Sequence, residues 1–179
     1  MRSLRVLNTS FREHPLTREA PLRAWKRFIS WQLRSRFKGE LIEPWVGGQS
    51  LAVRKGMTGA TGNLYTGLHE FVDMSLLLHF LREGDLFFDI GGNVGTYTVL
   101  AAGICRARTW VFEPDPQAAR DLARNIEVNN LGNLVTLYRV ALGAQDGELS
   151  FTVGLDTTNH VATSWERRVQ TVPARCLDS

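Results

Sequence analysis

Leu86-Phe87-Phe88-Asp89-Ile90-Gly91-Gly92-Asn93-Val94-Gly95 decides the fold of this 179-residue chain. Its first five residues form a short apolar run, the pattern of a strand buried on both faces. Glycines at 91, 92 and 95 then end the strand and open a turn. Gly91 and Gly95 allow a positive φ, and Asn93 tolerates the left-handed region better than most residues. A turn of this kind at the carboxyl end of a parallel strand is where a nucleoside cofactor is held.

Downstream the pattern is regular. Residues 95–105 have helical composition, and 109–112 form a second apolar strand. Asp115-Pro116 reads as an N-cap followed by proline at the first helical position, opening a helix to about residue 129. Residues 134–140 form a third strand. Strand, helix, strand, helix, strand with short connections predicts right-handed βαβ units and an α/β, Rossmann-like parallel sheet flanked by helices. Two further strand-like runs, 148–153 and 168–172, surround a polar loop at 156–166.

Upstream, residues 1–20 show no clean period and are expected to be extended or frayed. From Pro21 a helix is predicted, with Leu22, Trp25, Phe28, Ile29, Leu33 and Phe37 at three- and four-residue steps and Gly39 as its stop. This basic, Trp-bearing helix suits a membrane surface, but capping the sheet or packing on a partner subunit is the expectation. Residues 40–55 read as short strands around Gly47-Gly48. The glycine-rich stretch 56–63 reads as a loop, either a connector or a segment shaped around a ligand. A helix over 68–82 precedes the first βαβ strand. The expected organisation is an N-terminal extension, 1–64, and a cofactor-binding unit, 65–179.

Composition narrows the class. Hydrophobic residues are 44% and charged residues 22% of the chain, values of an ordinary globular protein. No apolar run approaches the ~18 residues of a membrane span, so no integral span is expected. Met1 to Asn8 lacks the apolar core of a secretory signal. Cys105 and Cys176 offer neither a disulfide framework nor metal spacing, so a cytoplasmic location is expected and no metal site. Twelve Lys/Arg against four Asp/Glu fall in residues 1–55, a balance of +8; the remainder carries −5, giving the overall +3. That excess reads either as an anion-seeking face or as a solvated helical face. No zinc-knuckle or aromatic RNP pattern accompanies it, so nucleic acid is not an expected partner.

Three glycine motifs compete for the turn. A P-loop requires a lysine that is absent here. A dinucleotide fingerprint would want glycines where Asn93 and Thr96, or Val94 and Tyr97, stand. Both registers fail, which disfavours a nicotinamide dehydrogenase. What remains is acidic-x-Gly-x-Gly/Asn-x-Gly: Asp89, Gly91, Asn93, Gly95. Glu113 closes the second strand eighteen residues after Gly95, near the spacing at which an acid meets ribose hydroxyls. His14, His69, His79 and His160 are scattered; His160, in the polar loop, is the histidine considered as a base.

The glycine motif has the spacing of class I methyltransferases. The stretch 84–98, together with Val111-Phe112-Glu113-Pro114-Asp115-Pro116, Asn125-Ile126-Glu127-Val128-Asn129-Asn130 and Val140-Ala141-Leu142-Gly143, resembles the FkbM-type methyltransferases. The resemblance implies S-adenosylmethionine as methyl donor and a small hydroxyl acceptor, commonly on a sugar or small natural product. It places Asp89, Gly91, Gly92, Asn93, Gly95 and Glu113 at the cofactor, with Glu70 near it and Ala141 against the adenine. In that family a segment like Cys176-Leu177-Asp178-Ser179 leads into a fourth strand ending in Asp-Val-Glu-Gly. The chain as given stops short of it, so a second polypeptide or further sequence is expected to complete the sheet. Without it, strand 86–90 would be an uncovered apolar edge. The alternative function is a catalytically incomplete unit that binds cofactor only, or an interaction module.

Overall fold

The computed structural model describes residues 2–152, 160–161 and 169–177, and its first element is helix α1 (Arg2–Glu13). This corrects the expectation of an extended lead-in. Phe11 is fully buried, its ring edge-on to Trp25 at 5.4 Å and to Tyr65 at 6.3 Å. The Thr17 hydroxyl donates to the Phe11 carbonyl (2.7 Å) and closes the turn behind it. Tertiary packing supplies what local periodicity did not announce.

Helix α2 (Pro21–Arg34) starts at the expected proline but turns another face inward. Ala24 and Trp31 are buried, whereas Leu22, Ile29 and Leu33 face out. Strands β1 (Leu41–Pro44) and β2 (Ser50–Val53) pair antiparallel around Gly47-Gly48, as expected. The glycine-rich stretch is not a loop: it forms most of helix α3 (Thr58–Thr66). Side chains tie the helix back on itself, the Asn63 amide donating to the Gly59 carbonyl and the Thr66 hydroxyl to the Gly62 carbonyl, both at 3.0 Å. Ala60 is fully buried in the N-terminal core. Packing here overrides the weak helix propensity of glycine and threonine.

Helix α4 (Phe71–Phe80) leads into β3 (Leu86–Ile90). Short helix α5 (Thr96–Thr98) widens over Val99–Ile104, where the Cys105 N–H donates five residues back to Leu100 (3.2 Å). Then come β4 (Arg108–Phe112), α6 (Pro116–Val128) and β5 (Val135–Tyr138). The Asp115 side chain accepts from the N–H groups of Gln117 and Ala118, the predicted N-cap. Strands β3, β4 and β5 lie parallel in that order, giving the expected α/β architecture. A second sheet, β6 (Ala141–Leu142), β8 (Val169–Arg175) and β7 (Gly147–Thr152), has β8 at its centre. Most of the polar loop at 156–166 lies outside the described residues.

β3 is not buried on both faces. Among the described residues it pairs only with β4, and Leu86 and Ile90 are exposed. Helices α5 and α6 pack their Val99 and Leu122 against Val111 and Val135 of the sheet, and α4 joins beside Phe87. The opposite face is aromatic: Phe88 stacks with Phe112 at 6.2 Å, and Phe112 with Tyr138 at 5.0 Å. Alternation along a strand sends neighbouring side chains to opposite faces, so this row lies opposite the helix-covered one; Phe112 is buried within it and Trp110 is exposed.

The N-terminal residues share the core of the βαβ unit. β2 is hydrogen-bonded to α6 through two asparagines. Asn125 Oδ1 accepts from the Ala52 N–H (2.7 Å), and Asn129 both accepts from and donates to the Ser50 backbone (2.8 and 2.9 Å). Val94, in the glycine turn, packs into the same cluster as Phe11, Trp31 and Leu51.

Candidate cofactor cleft

The turn after β3 takes the conformation its residues allow. Gly91 (φ +77°), Asn93 (φ +49°) and Gly95 (φ +85°) are all left-handed. Gly92 is required for a different reason. A Cβ there would lie 2.2 Å from Val111 Cγ2 and 2.9 Å from Leu122 Cδ1, so only hydrogen fits between turn, strand and α6.

Around this turn opens a cleft of about 360 Å³, within the size range of small-molecule sites. It is lined by Asp89, Gly91, Gly92 and Asn93 of the turn, by Glu70 and Tyr97, and by Thr58, Gly59, Asn63 and His69. Asp89 is buried at the strand end and accepts a hydrogen bond from the Thr98 hydroxyl. Burial pushes its carboxyl above the usual carboxylate range, and the Thr98 hydrogen bonds only partly offset this. Glu70 accepts from the Tyr97 hydroxyl (2.9 Å). The Tyr97 phenol is raised, first by burial, then by the Glu70 hydrogen bond and by the charges of Glu70, Asp73 and Asp89. Two carboxylates thus face the cleft, and among the described residues no lysine or arginine lines it.

The expected site residues separate into three groups. Asp89, Gly91, Gly92, Asn93 and Glu70 come together at the cleft, and Gly95 turns the chain beneath it. Glu113 sits behind the turn. Its Oε2 accepts from the Asn93 N–H (2.7 Å) and its Oε1 from the Asp115 N–H (2.8 Å). Burial raises its pKa, those two hydrogen bonds lower it, and Asp115 and Asp89 raise it again. Ala141 is not at the cleft; it is buried in β6, paired with Ala174 of β8. The chain leaves β5 for a second sheet, which carries Ala141 away with it.

Histidines sort differently from the sequence. His160 is exposed and held by Thr152, whose hydroxyl oxygen accepts from its N–H (2.8 Å), and it does not line the cleft. His69 does. Its backbone N–H donates to Asn63 Oδ1 (2.8 Å), and its ring lies over Gly62, where a Cβ would stand 2.7 Å from His69 Cγ. The signal was present in the spacing of Gly59, Gly62 and Asn63, three small or amide residues on one side of a helix. Among the described residues no cluster of His, Cys, Asp and Glu is arranged to hold a metal ion.

Comparison with known proteins bears on this geometry. The hexuronic acid methyltransferase AglP of Haloferax volcanii is 28% identical over 100 residues, 54% of this chain and 40% of that protein. The chain is similar to a methyltransferase. It spans about 40% of the length of that relative. No family model matches the chain. Among solved structures, P. horikoshii TYW2 in complex with MeSAdo superposes with a TM-score of 0.48 at 12% identity, over 68% of this chain and 48% of that one. An RNA methyltransferase of Salinibacter ruber in complex with S-adenosyl-L-homocysteine gives 0.38 at 26% identity, over 41% and 48%.

Proposed function

We propose that the chain is the donor-binding part of an S-adenosylmethionine-dependent methyltransferase of FkbM type, acting on a hydroxyl of a sugar or small natural product. One observation carries the choice of cofactor: the cleft at the glycine turn presents Asp89 and Glu70 and, among the described residues, no lysine or arginine. Such a wall attracts an ammonium or sulfonium and repels the phosphates of a dinucleotide or of nucleic acid. Asp89, held above its ordinary pKa by burial, gains most from a cationic partner. In this reading Asp89 receives the methionyl ammonium, Asn93 and Gly91 give the backbone close approach, and Glu113 holds the turn from behind.

When bound, the cofactor supplies an electrophilic methyl on sulfonium. The chain's part is to orient it and to accept a proton. In the same reading His69, which also lines the cleft, takes the acceptor's hydroxyl proton. The name of AglP supports a sugar acid as acceptor. Two free cysteines fit a reducing compartment, the cytoplasm.

Calorimetry with S-adenosylhomocysteine tests the cofactor. It is expected to bind, NAD is not, and Asp89→Asn is expected to weaken binding at least about tenfold, or 1.4 kcal/mol. Stronger thermal protection by NAD would overturn the reading. A second reading is binding without transfer, in keeping with a β3 that among the described residues pairs only with β4. Binding of S-adenosylhomocysteine with no methylation of methyl glucuronide would decide for it.

A further inference from the structure

Of the apolar residues predicted at helical spacing on α2, Trp25 and Phe28 pack against the N-terminal core, whereas the other four form a stripe facing solvent. Leu22 is 73% exposed, Ile29 52%, Leu33 56%, and Phe37, just beyond the helix, 88%. Steps of seven, four and four residues put the four on one side of the chain. Inward, the helix contacts the protein through Ala24, Trp25, Phe28 and Trp31, and the side carrying Leu22, Ile29 and Leu33 has no partner among the described residues.

The charge around the stripe says what covers it. On the helical wheel Lys26 falls inside the stripe, and Arg23, Arg27 and Arg34 form one flank. Glu43 pairs with Arg34 (2.8 Å), but no acid lies on α2 itself. Residues 1–55 carry twelve cations against four anions, and every lysine of the chain. A second copy of this face would set cation against cation. An anionic surface with an apolar interior satisfies both halves of the pattern, and that is a bilayer containing acidic lipids.

We infer that α2 docks the protein on an anionic membrane surface, lying in the interface with Leu22, Ile29, Leu33 and Phe37 in the acyl boundary and its cations among headgroups. No described helix is long and apolar enough to cross a membrane, so the contact is peripheral. α3 stands between this face and the cleft: α2 and α3 share the cluster of Trp31, Ala60 and Tyr65, while Thr58, Gly59 and Asn63 of α3 line the cleft. The cleft therefore remains open while α2 is docked.

Flotation of the whole chain with vesicles tests this. It is expected to float with DOPC:DOPG 7:3 vesicles in 50 mM NaCl, at least tenfold less with pure DOPC, and at least tenfold less in 0.5 M NaCl. Ile29→Glu/Leu33→Glu and, separately, Arg23→Glu/Lys26→Glu are each expected to reduce flotation tenfold or more without changing far-UV circular dichroism. All four substituted positions are exposed, and the charge-reversal pair leaves the apolar residues intact. Absence of flotation would overturn the inference, as would equal flotation with both lipids. So would a dimer in light scattering that Ile29→Glu/Leu33→Glu dissolves while vesicle binding is nil.

Discussion

The Glu113 carboxylate accepts the Asn93 backbone N–H at 2.7 Å, tying the end of β4 to the glycine turn that follows β3. The other oxygen takes the Asp115 N–H at 2.8 Å, just before α6. An acid expected only to face ribose hydroxyls thus also builds the site. Each oxygen has a second lone pair, so a ribose contact and the latch are compatible.

Glu113→Gln is expected to separate those duties poorly and to damage both. The amide nitrogen would meet a backbone N–H, leaving one buried donor unsatisfied at a cost of about 1–3 kcal/mol. Urea unfolding should show that loss, and calorimetry should show S-adenosylhomocysteine binding weakened at least about tenfold. Unchanged affinity in a destabilised variant would make Glu113 purely structural.

Gly92→Ala should destabilise chiefly by overpacking. Its new methyl would meet Val111 and Leu122, both fully buried, at 2.2 and 2.9 Å. Overpacking of this kind costs about 1–3 kcal/mol. Thermal unfolding reads the loss, and a Tm equal to the parent's would mean that the turn relaxes freely.

Asn125→Leu removes two buried partners at once. The Ala52 N–H and the Val94 carbonyl, bonded to Asn125 at 2.7 and 2.8 Å, would be left without it. A loss of about 2 kcal/mol or more is expected. Because Val94 belongs to the turn and Ala52 to the hairpin, hydrogen exchange should quicken in both segments together.

Asp89→Asn should stabilise the ligand-free chain at neutral pH while weakening ligand binding. Burial holds the folded pKa of Asp89 above its ordinary 3.8, and that of Glu113 above its ordinary 4.5. A raised folded pKa means that the group's contribution to stability is full below the unfolded value and is lost as pH rises through the folded one. The difference in Tm between Asp89→Asn and the parent should therefore grow from about pH 4 toward pH 7. A constant difference would show that Asp89 is not desolvated.

His69→Ala is expected to leave S-adenosylhomocysteine affinity within about twofold while slowing methyl transfer about 10²-fold or more. Gly62→Ala should act in the same direction, since its Cβ would push the His69 ring off α3. Equal loss of binding and transfer would place His69 at the cofactor instead.

Much of the glycine turn and its cleft was legible because its cause is local. Left-handed φ at Gly91, Asn93 and Gly95 follows from residue type, and the Asp115-Pro116 cap follows from short-range chemistry. α1 and α3 were not legible. Their apolar residues are few, and Phe11, Ala60 and Tyr65 hold helices only because they meet one another across the chain. Ala141 lies away from the cleft because the second sheet, a long-range pairing, decides where it goes.

The sequence by itself determined β3, its glycine turn, the parallel order with β4 and β5, and the acid at each strand end. Those rest on alternation, turn chemistry and the handedness of βαβ units, which act over a few residues at a time. Only the tertiary structure decided that Glu113 latches the turn, that His69 shares the cleft, and that α2 turns Leu22, Ile29 and Leu33 outward. A helix with two apolar sides offers either to the core. Trp31 and Ala24 fit against α3 and the β1–β2 hairpin, and burial of that side left the other free.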